Sequence, residues 1–356
     1  MFGEQPVGEL RLGIEDMLGS HVLVAGVTGW GKTYLLMYIL QQLVKMAYRV
    51  CVFDSESEYW KFAERAGLDQ CWFVHLEDDK DNPLQQPPNV PVGKWFAAWK
   101  RSVREVMWCR EGMINLLTLC IGNLLKNTKG QKPERSPTIS NLYSLLNNMR
   151  FQPGTRRAGY HESLLDRVQS LLDNLGPMVD CESGYPLEDL ARKSLVYDIS
   201  SLSQEAQLFV LHLKLLKMQL YREAQLEEAG KEAAATGSDV FVVEEAHRAT
   251  AKVLEKRPDL GEPLLYDLVR TGRKRGAKFV FVEQVIAGIP YQILGNINCR
   301  IIGRISDGRS LIALAQITGW DDDQLDFIRE LPPRHFVIQT PLIPDGAVFK
   351  VPDLSE

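Results

Sequence analysis

The chain has 356 residues, 45% of them hydrophobic and 24% charged, with a formal net charge of −5. Such a composition is that of an ordinary globular protein, long enough for one large α/β core with an insertion, and it excludes wholesale disorder. The acidic balance excludes coating nucleic acid or an anionic membrane by bulk electrostatics and leaves only a focused basic lining for such contacts.

From the N-terminus, the short apolar run His21-Val-Leu-Val-Ala25 predicts a buried strand, and Tyr34 to Val44 predicts a helix. Between them stands Gly26-Val-Thr-Gly-Trp-Gly-Lys-Thr33, a Gly, four residues, then Gly-Lys-Thr. In that strand-to-helix setting the pattern predicts a phosphate-binding loop: backbone N–H groups turn inward around an anion and the helix start adds partial positive charge. Lys32 reaches the terminal phosphates and Thr33 offers its hydroxyl to Mg²⁺. The expected ligand is ATP with Mg²⁺, held by Gly26, Val27, Thr28, Gly29, Trp30, Gly31, Lys32, Thr33 and Tyr34.

Further strands are expected at 49–54, 72–75, 195–199, 239–243, 278–282, 300–305 and 335–339, in an α/β rhythm that predicts a doubly wound, mostly parallel sheet. Between 92 and 193 the strand signal disappears. Helices are expected there at 95–110, 112–125, 138–149 and 162–175, separated by loops at 129–137 and 152–159. The chain thus reads as the first part of an ATPase core (1–91), a helical insertion (92–193) and the second part of the core (194–356). A long helix is expected at 204–228, where Leu208, Leu211, Leu215 and Met218 recur at helical spacing; 227–238 reads as its end and an exposed loop. The apolar stretch 113–125 is broken by Asn115 and Asn123, too short and too polar to span a bilayer, and no leader precedes the first strand. Six cysteines at irregular spacing, with no C-x-x-C pair, speak against zinc or a disulfide framework and fit a reduced, cytoplasmic protein.

The strand at 239–243 runs into Glu244-Glu245-Ala-His247. Hydrolysis needs a carboxylate for the hydrated metal and a second to polarise water, so Glu244 is expected on the metal side and Glu245 as general base. Arg270, Arg273, Lys274 and Arg275 lie within six residues, a density that demands an anionic partner, such as the terminal phosphate of a neighbouring subunit's nucleotide. Gln284, at the tip of the next strand, is placed to sense that phosphate or its attacking water. Candidate nucleic-acid contacts are Lys94, Lys100, Arg101 and Arg104 among Trp95, Trp99 and Trp108, the loop with Lys126, Lys129, Lys132 and Arg135, and the loop with Arg150, Arg156 and Arg157.

The phrases HVLVAGVTGWGKT, VVEEAH, RTGRKRGAKFVFVEQ and NCRIIGRISDGRS resemble the HerA/FtsK superfamily of P-loop ATPases. DSESEYW, PTISNLYSLL, SLVYDISSLS and ELPPRHFVI look closest to its branch of conjugative coupling and secretion ATPases. The resemblance implies a RecA-like sheet, a homo-oligomer (a hexamer) with ATP at subunit interfaces, and DNA in the central channel. It makes Arg273 the match for an arginine finger acting in trans, with Arg270 the second candidate. It places Glu58 in a nucleotide-proximal loop, and Arg300 and Arg304 at the subunit boundary. A membrane-complex, capsid or nuclease partner fits the same resemblance, with no direct membrane insertion of this chain. The residues leave open an ATP-gated assembly or protein-secretion factor that does not grip nucleic acid. Glu244 departs from the usual Asp, and Trp30 stands where a small residue is common.

Overall fold

The structure is a computed structural model that describes residues 13–67, 70–128, 136–229, 239–249, 262–272 and 275–351. Its centre is a nine-stranded sheet of β1 His21–Ala25, β2 Arg49–Asp54, β3 Cys71–His75, β4 Ser194–Asp198, β5 Asp239–Glu244, β6 Ala277–Glu283, β7 Ile297–Ile302, β8 His335–Thr340 and β9 Ile343–Lys350. The strand order is β3-β4-β2-β5-β6-β1-β7-β8-β9. Strands β3 to β7 run parallel, and β8 and β9 close one edge antiparallel.

Side chains alternate across a strand, so a strand covered on both faces must be apolar at every position. Strand β1 is buried along its whole length. Leu23 and Ala25 belong to one apolar cluster and Val22 and Val24 to the other. The second face is covered by the helix Lys32–Lys45, through Leu35, Leu36, Leu40 and Leu43, and by Trp60–Ala66 through Phe62 and Ala63. The first is covered by the long helix Gln204–Ala229 and by the helices Val92–Val106, Glu111–Thr128, Ile139–Asn148 and Arg156–Leu175. These four lie between β3 and β4, and among the described residues that stretch contains no strand. This is the doubly wound α/β architecture expected, with helices inserted.

Three features differ from the pattern reading. Strand β7 lies three residues earlier than 300–305, because Ile297, Cys299 and Ile301 are the inward positions. After Ile302 the chain leaves the ladder: Gly303 donates to the Ala25 carbonyl at 2.7 Å and packs against Phe336. Strand β9 is additional; Pro344, Asp345 and Gly346 near its start read as turn residues, and it pairs only with β8. The helix Arg156–Leu175 begins inside the expected loop 152–159, where the Thr155 hydroxyl accepts from the Ala158 amide. Most of 227–238 lies outside the described residues.

Candidate nucleotide site

All parallel strands end at one edge, and there β1 turns into the helix Lys32–Lys45. Gly29 and Gly31 take φ of 79° and 93°, left-handed values that a glycine adopts without strain. A Cβ at Gly26 would stand 3.3 Å from the Gly303 backbone, so the loop and the end of β7 touch main chain to main chain. Val27 donates to the Arg304 carbonyl at 2.8 Å, which fixes the loop's first turn. The Lys32 ammonium donates to the Gly26 and Val27 carbonyls at 2.8 and 3.1 Å. Burial lowers its pKa, and Glu245 opposes this ahead of Glu56, Glu244 and Glu283.

Thr28, Gly29, Gly31, Lys32, Thr33 and Tyr34 line a cleft of about 260 Å³ with Glu56, Glu58, Glu244, Glu245, Val282 and Gln284. Its acidic wall is built by Asp54, at the end of β2. That fully buried carboxylate accepts from the amides of Glu56, Glu58 and Tyr59 at 3.2, 3.1 and 2.9 Å, folding the loop so that Glu56 and Glu58 face the phosphate loop. Thr33 donates its hydroxyl to Glu58 at 2.5 Å. Glu244 accepts from the Ser55 amide at 3.4 Å. Burial pushes its carboxyl up to about 8, with Asp54 the next contributor. Glu245 has φ 48°, a left-handed value unusual for a side chain with a Cβ, at the corner where β5 gives way to the short helix Ala246–Ala249. Burial, then Glu283, raises its pKa. Gln284 joins the parts: its carbonyl accepts from the Thr28 hydroxyl at 2.6 Å and its amide donates to Glu245 at 3.1 Å. The cleft therefore combines an anion-binding loop, hard oxygen donors around Thr33 and a carboxylate tied to a glutamine.

Two residues to which the pattern reading gave no role, Glu283 and His247, are central here. Glu283 ends β6, is fully buried, and binds His247, which packs beside Glu245. Trp30 points toward the C-terminal part of the chain. Its indole donates to the Leu331 carbonyl at 2.9 Å, and the Arg304 guanidinium lies 5.1 Å over its ring. Arg334 covers Tyr34 at 4.9 Å.

Other candidates fall elsewhere. Arg273 and Lys274, with Lys129, Lys132 and Arg135, lie outside the described residues. Arg270 is exposed near the end of the helix Leu264–Gly272 and donates to Asp267 at 2.7 Å. That helix precedes β6, so Arg270 stands at the sheet edge opposite the phosphate loop, the length of a strand or about 20 Å away. Arg300 is half-buried beside Gln339 within the sheet. Trp95 and Trp99 are core residues, and the cations around them are engaged: Lys94 with Glu223, Lys100 with Thr118, Arg101 with Asp267 and Arg104 with Glu111. Lys126, Arg150, Arg156 and Arg157 are exposed, Arg157 stacking on Phe151.

Residues 4–87 match the family described as the central domain of helicase HerA. No curated protein matches the chain in sequence. Among solved structures, VirB4 of Thermoanaerobacter pseudethanolicus is similar with TM-score 0.67 and 15% identity, over 94% of this chain and 90% of that one. The bacterial conjugative coupling protein TrwB, lacking its N-terminal segment, is similar with TM-score 0.64 and 13% identity, over 94% and 85%. TrwB in complex with ADP and Mg²⁺ gives 0.60 and 13%, over 94% and 86%. At such identities the likeness shows a shared RecA-like fold. The segment matched to the HerA central domain, 4–87, contains the phosphate loop with its flanking strand and helix, and the likeness in sequence is to that part of the family.

Proposed function

We propose that the chain is an ATP-hydrolysing motor that assembles as a homo-oligomeric ring, a hexamer, and passes DNA through its centre in conjugation, packaging, segregation or defence. The observation that carries the catalytic half is the Gln284 bridge from Thr28 of the phosphate loop to Glu245, beside Lys32. Residues 26–34 cradle the triphosphate. Thr33 and Glu244 would hold Mg²⁺, which fits a donor set made wholly of oxygens, and the ion would supply charge to offset that of the terminal phosphates. Glu245 orients or deprotonates the attacking water while Gln284 reads the terminal phosphate. Arg273, or Arg270, reaches the nucleotide of the adjoining subunit. Solved relatives described as a conjugative coupling protein and as a complex with ADP and Mg²⁺ support this reading. The motor works in the cytoplasm, docking to a membrane complex, capsid or nuclease through a partner; among the described residues no helix is long and apolar enough to cross a membrane.

The test is ATP turnover with Mg²⁺, with and without DNA. Lys32→Ala and Glu245→Gln should each lower a DNA-stimulated rate by about 100-fold or more. A wild-type chain that binds ATP without turning it over, or binds none, defeats the reading.

A second reading, an ATP-gated assembly or protein-secretion factor, is favoured by one observation: the cations of the helix Val92–Val106 are engaged within the chain and its buried tryptophans cannot stack on bases. DNA binding that weakens steeply with salt selects the motor. No binding at low salt, with turnover raised by a partner protein, selects the factor.

A further inference from the structure

We propose that Glu283 and His247 form a positioning clamp that holds Glu245 and Gln284 as one unit against the phosphate loop. The inference rests on the ATPase reading above for its consequence, though not for its geometry. Glu283 is buried to 0% exposure, where an ionised carboxylate persists only if its oxygens are fully bonded. They are. One oxygen accepts from the Gln284 and Val285 amides at 2.8 and 3.0 Å. The other accepts from the His247 amide at 2.9 Å, and the His247 ring nitrogen Nδ1 lies 3.1 Å from both. Facing this carboxylate, Nδ1 carries the proton. The Glu283 carbonyl in turn accepts from the Gly26 amide at 3.2 Å. One residue thereby ties together the start of the phosphate loop, the turn after β5 and the turn after β6.

Each active group gains from it. Glu245 is held in a left-handed conformation that persists only when its surroundings impose it, and the residue two positions on is pinned to Glu283 by both backbone and side chain. Gln284 has its amide fixed by the same carboxylate, and its side chain then reaches Thr28 and Glu245. The turn after β6 passes close to the base of the His247 side chain: a Cβ at Gly288 would come within 2.8 Å of the His247 Cβ. Glu245, His247 and Glu283 have ligand atoms within 4.8 Å of one another, a spacing that a metal ion also tolerates. The N–H donors already on both Glu283 oxygens make a clamp the better occupant, because a carboxylate's lone pairs are used only once. Movement of Thr28 as it meets a terminal phosphate is then passed through Gln284 to Glu245 about a fixed pivot.

The experiment compares wild type with Glu283→Gln, His247→Gln and the double variant by steady-state ATP turnover, binding of a fluorescent ATP analogue, and amide hydrogen exchange. Glutamine keeps the size of Glu283 but turns one acceptor into a donor that faces N–H groups. Each single variant should lower kcat, by about 100-fold for Glu283→Gln, as expected for an ångström-scale displacement. Analogue affinity should change little. The double variant should fall no lower than Glu283→Gln alone, since both remove one unit. Exchange should accelerate at His247, Gln284 and Val285 while the interiors of β5 and β6 stay protected. Unchanged kcat in Glu283→Gln, losses that multiply in the double variant, or unaltered exchange at those amides overturns the clamp. If Glu283→Gln fails to fold, His247→Gln, at a half-exposed position, carries the same kcat and exchange test. A wild-type chain without turnover defeats the ATPase reading instead, and the exchange comparison then decides the clamp by itself.

Discussion

Glu105 faces inward from the helix Val92–Val106, accepts the Leu264 amide at 2.7 Å through one oxygen, and has no hydrogen-bond partner on the other. Burial pushes its carboxyl up to about 7 from an ordinary 4.5. Between those two values the folded chain binds more protons than the unfolded one, so stability falls as pH rises through the window and the penalty is complete above it. Glu105→Gln keeps the acceptor for Leu264 and removes the charge. Chemical denaturation should therefore find the variant more stable than wild type at pH 8, by roughly 1–3 kcal/mol, with the difference gone below about pH 4.5; a constant difference across pH is the contrary result. Residues of this kind were the least legible in the sequence. Lys32, Thr33, Glu244, Glu245 and Gln284 could be picked out because they sit at fixed offsets from apolar strands, and the structure brings all five to one cleft. Glu283 could not, since a glutamate ending an apolar strand looks the same whether it is solvated or sealed. The basic and aromatic run 94–108 suggested nucleic acid because sequence shows which cations are near which rings, not that Trp95 and Trp99 face the core.

Between elements, the most demanding junction is the ion network under the segment that follows β3. Lys214 and Lys217 project from one face of the helix Gln204–Ala229 and meet Asp79 and Asp81, with contacts of 2.6 Å from Lys214 to Asp79, and of 2.9 and 2.5 Å from Lys214 and Lys217 to Asp81. All four are buried, so removing one partner leaves a desolvated charge. Asp81→Ala should destabilise the chain by about 3–5 kcal/mol in urea unfolding, whereas an effect under about 1 kcal/mol would mean the network is solvated in practice. Burial works against the Asp81 charge, but Lys214, then Lys217, outweigh it and hold the carboxyl down at about 2. The stability it supplies is present above about pH 4 and is lost as pH falls toward 2. Element identity was legible wherever one signal dominated: continuous apolar runs gave β1, β2, β5 and β6 within a residue or two. It failed for β9, because a hairpin strand at the sheet edge owes its pairing to β8 rather than to its own composition. It also failed at the start of Arg156–Leu175, where a threonine cap lay inside a stretch that Pro153 and Gly154 had marked as loop.

Across the whole molecule, the separation of cations from the phosphate loop constrains how the chain can work. Arg270 and Arg275 stand by the N-terminal ends of β5 and β6, while Lys32, Glu245 and Gln284 gather at their C-terminal ends. Strands of six and seven residues keep the two edges about 20 Å apart, beyond the reach of an arginine side chain within one copy. A guanidinium at that edge can therefore help hydrolysis only in a head-to-tail assembly, where one copy's edge meets the next copy's cleft. Subunit mixing distinguishes the cases. Lys32→Ala spoils a subunit's own cleft, and Arg273→Ala spoils what it lends to its neighbour, so each variant alone should lose most turnover. In an equal mixture, an interface is intact where the cleft comes from an Arg273→Ala subunit and the arginine from a Lys32→Ala subunit. Random assembly makes that roughly one interface in four, so turnover should recover toward a quarter of wild type. An arginine acting within its own subunit predicts no recovery, and a mixture that stays as inactive as its parts would exclude the shared site.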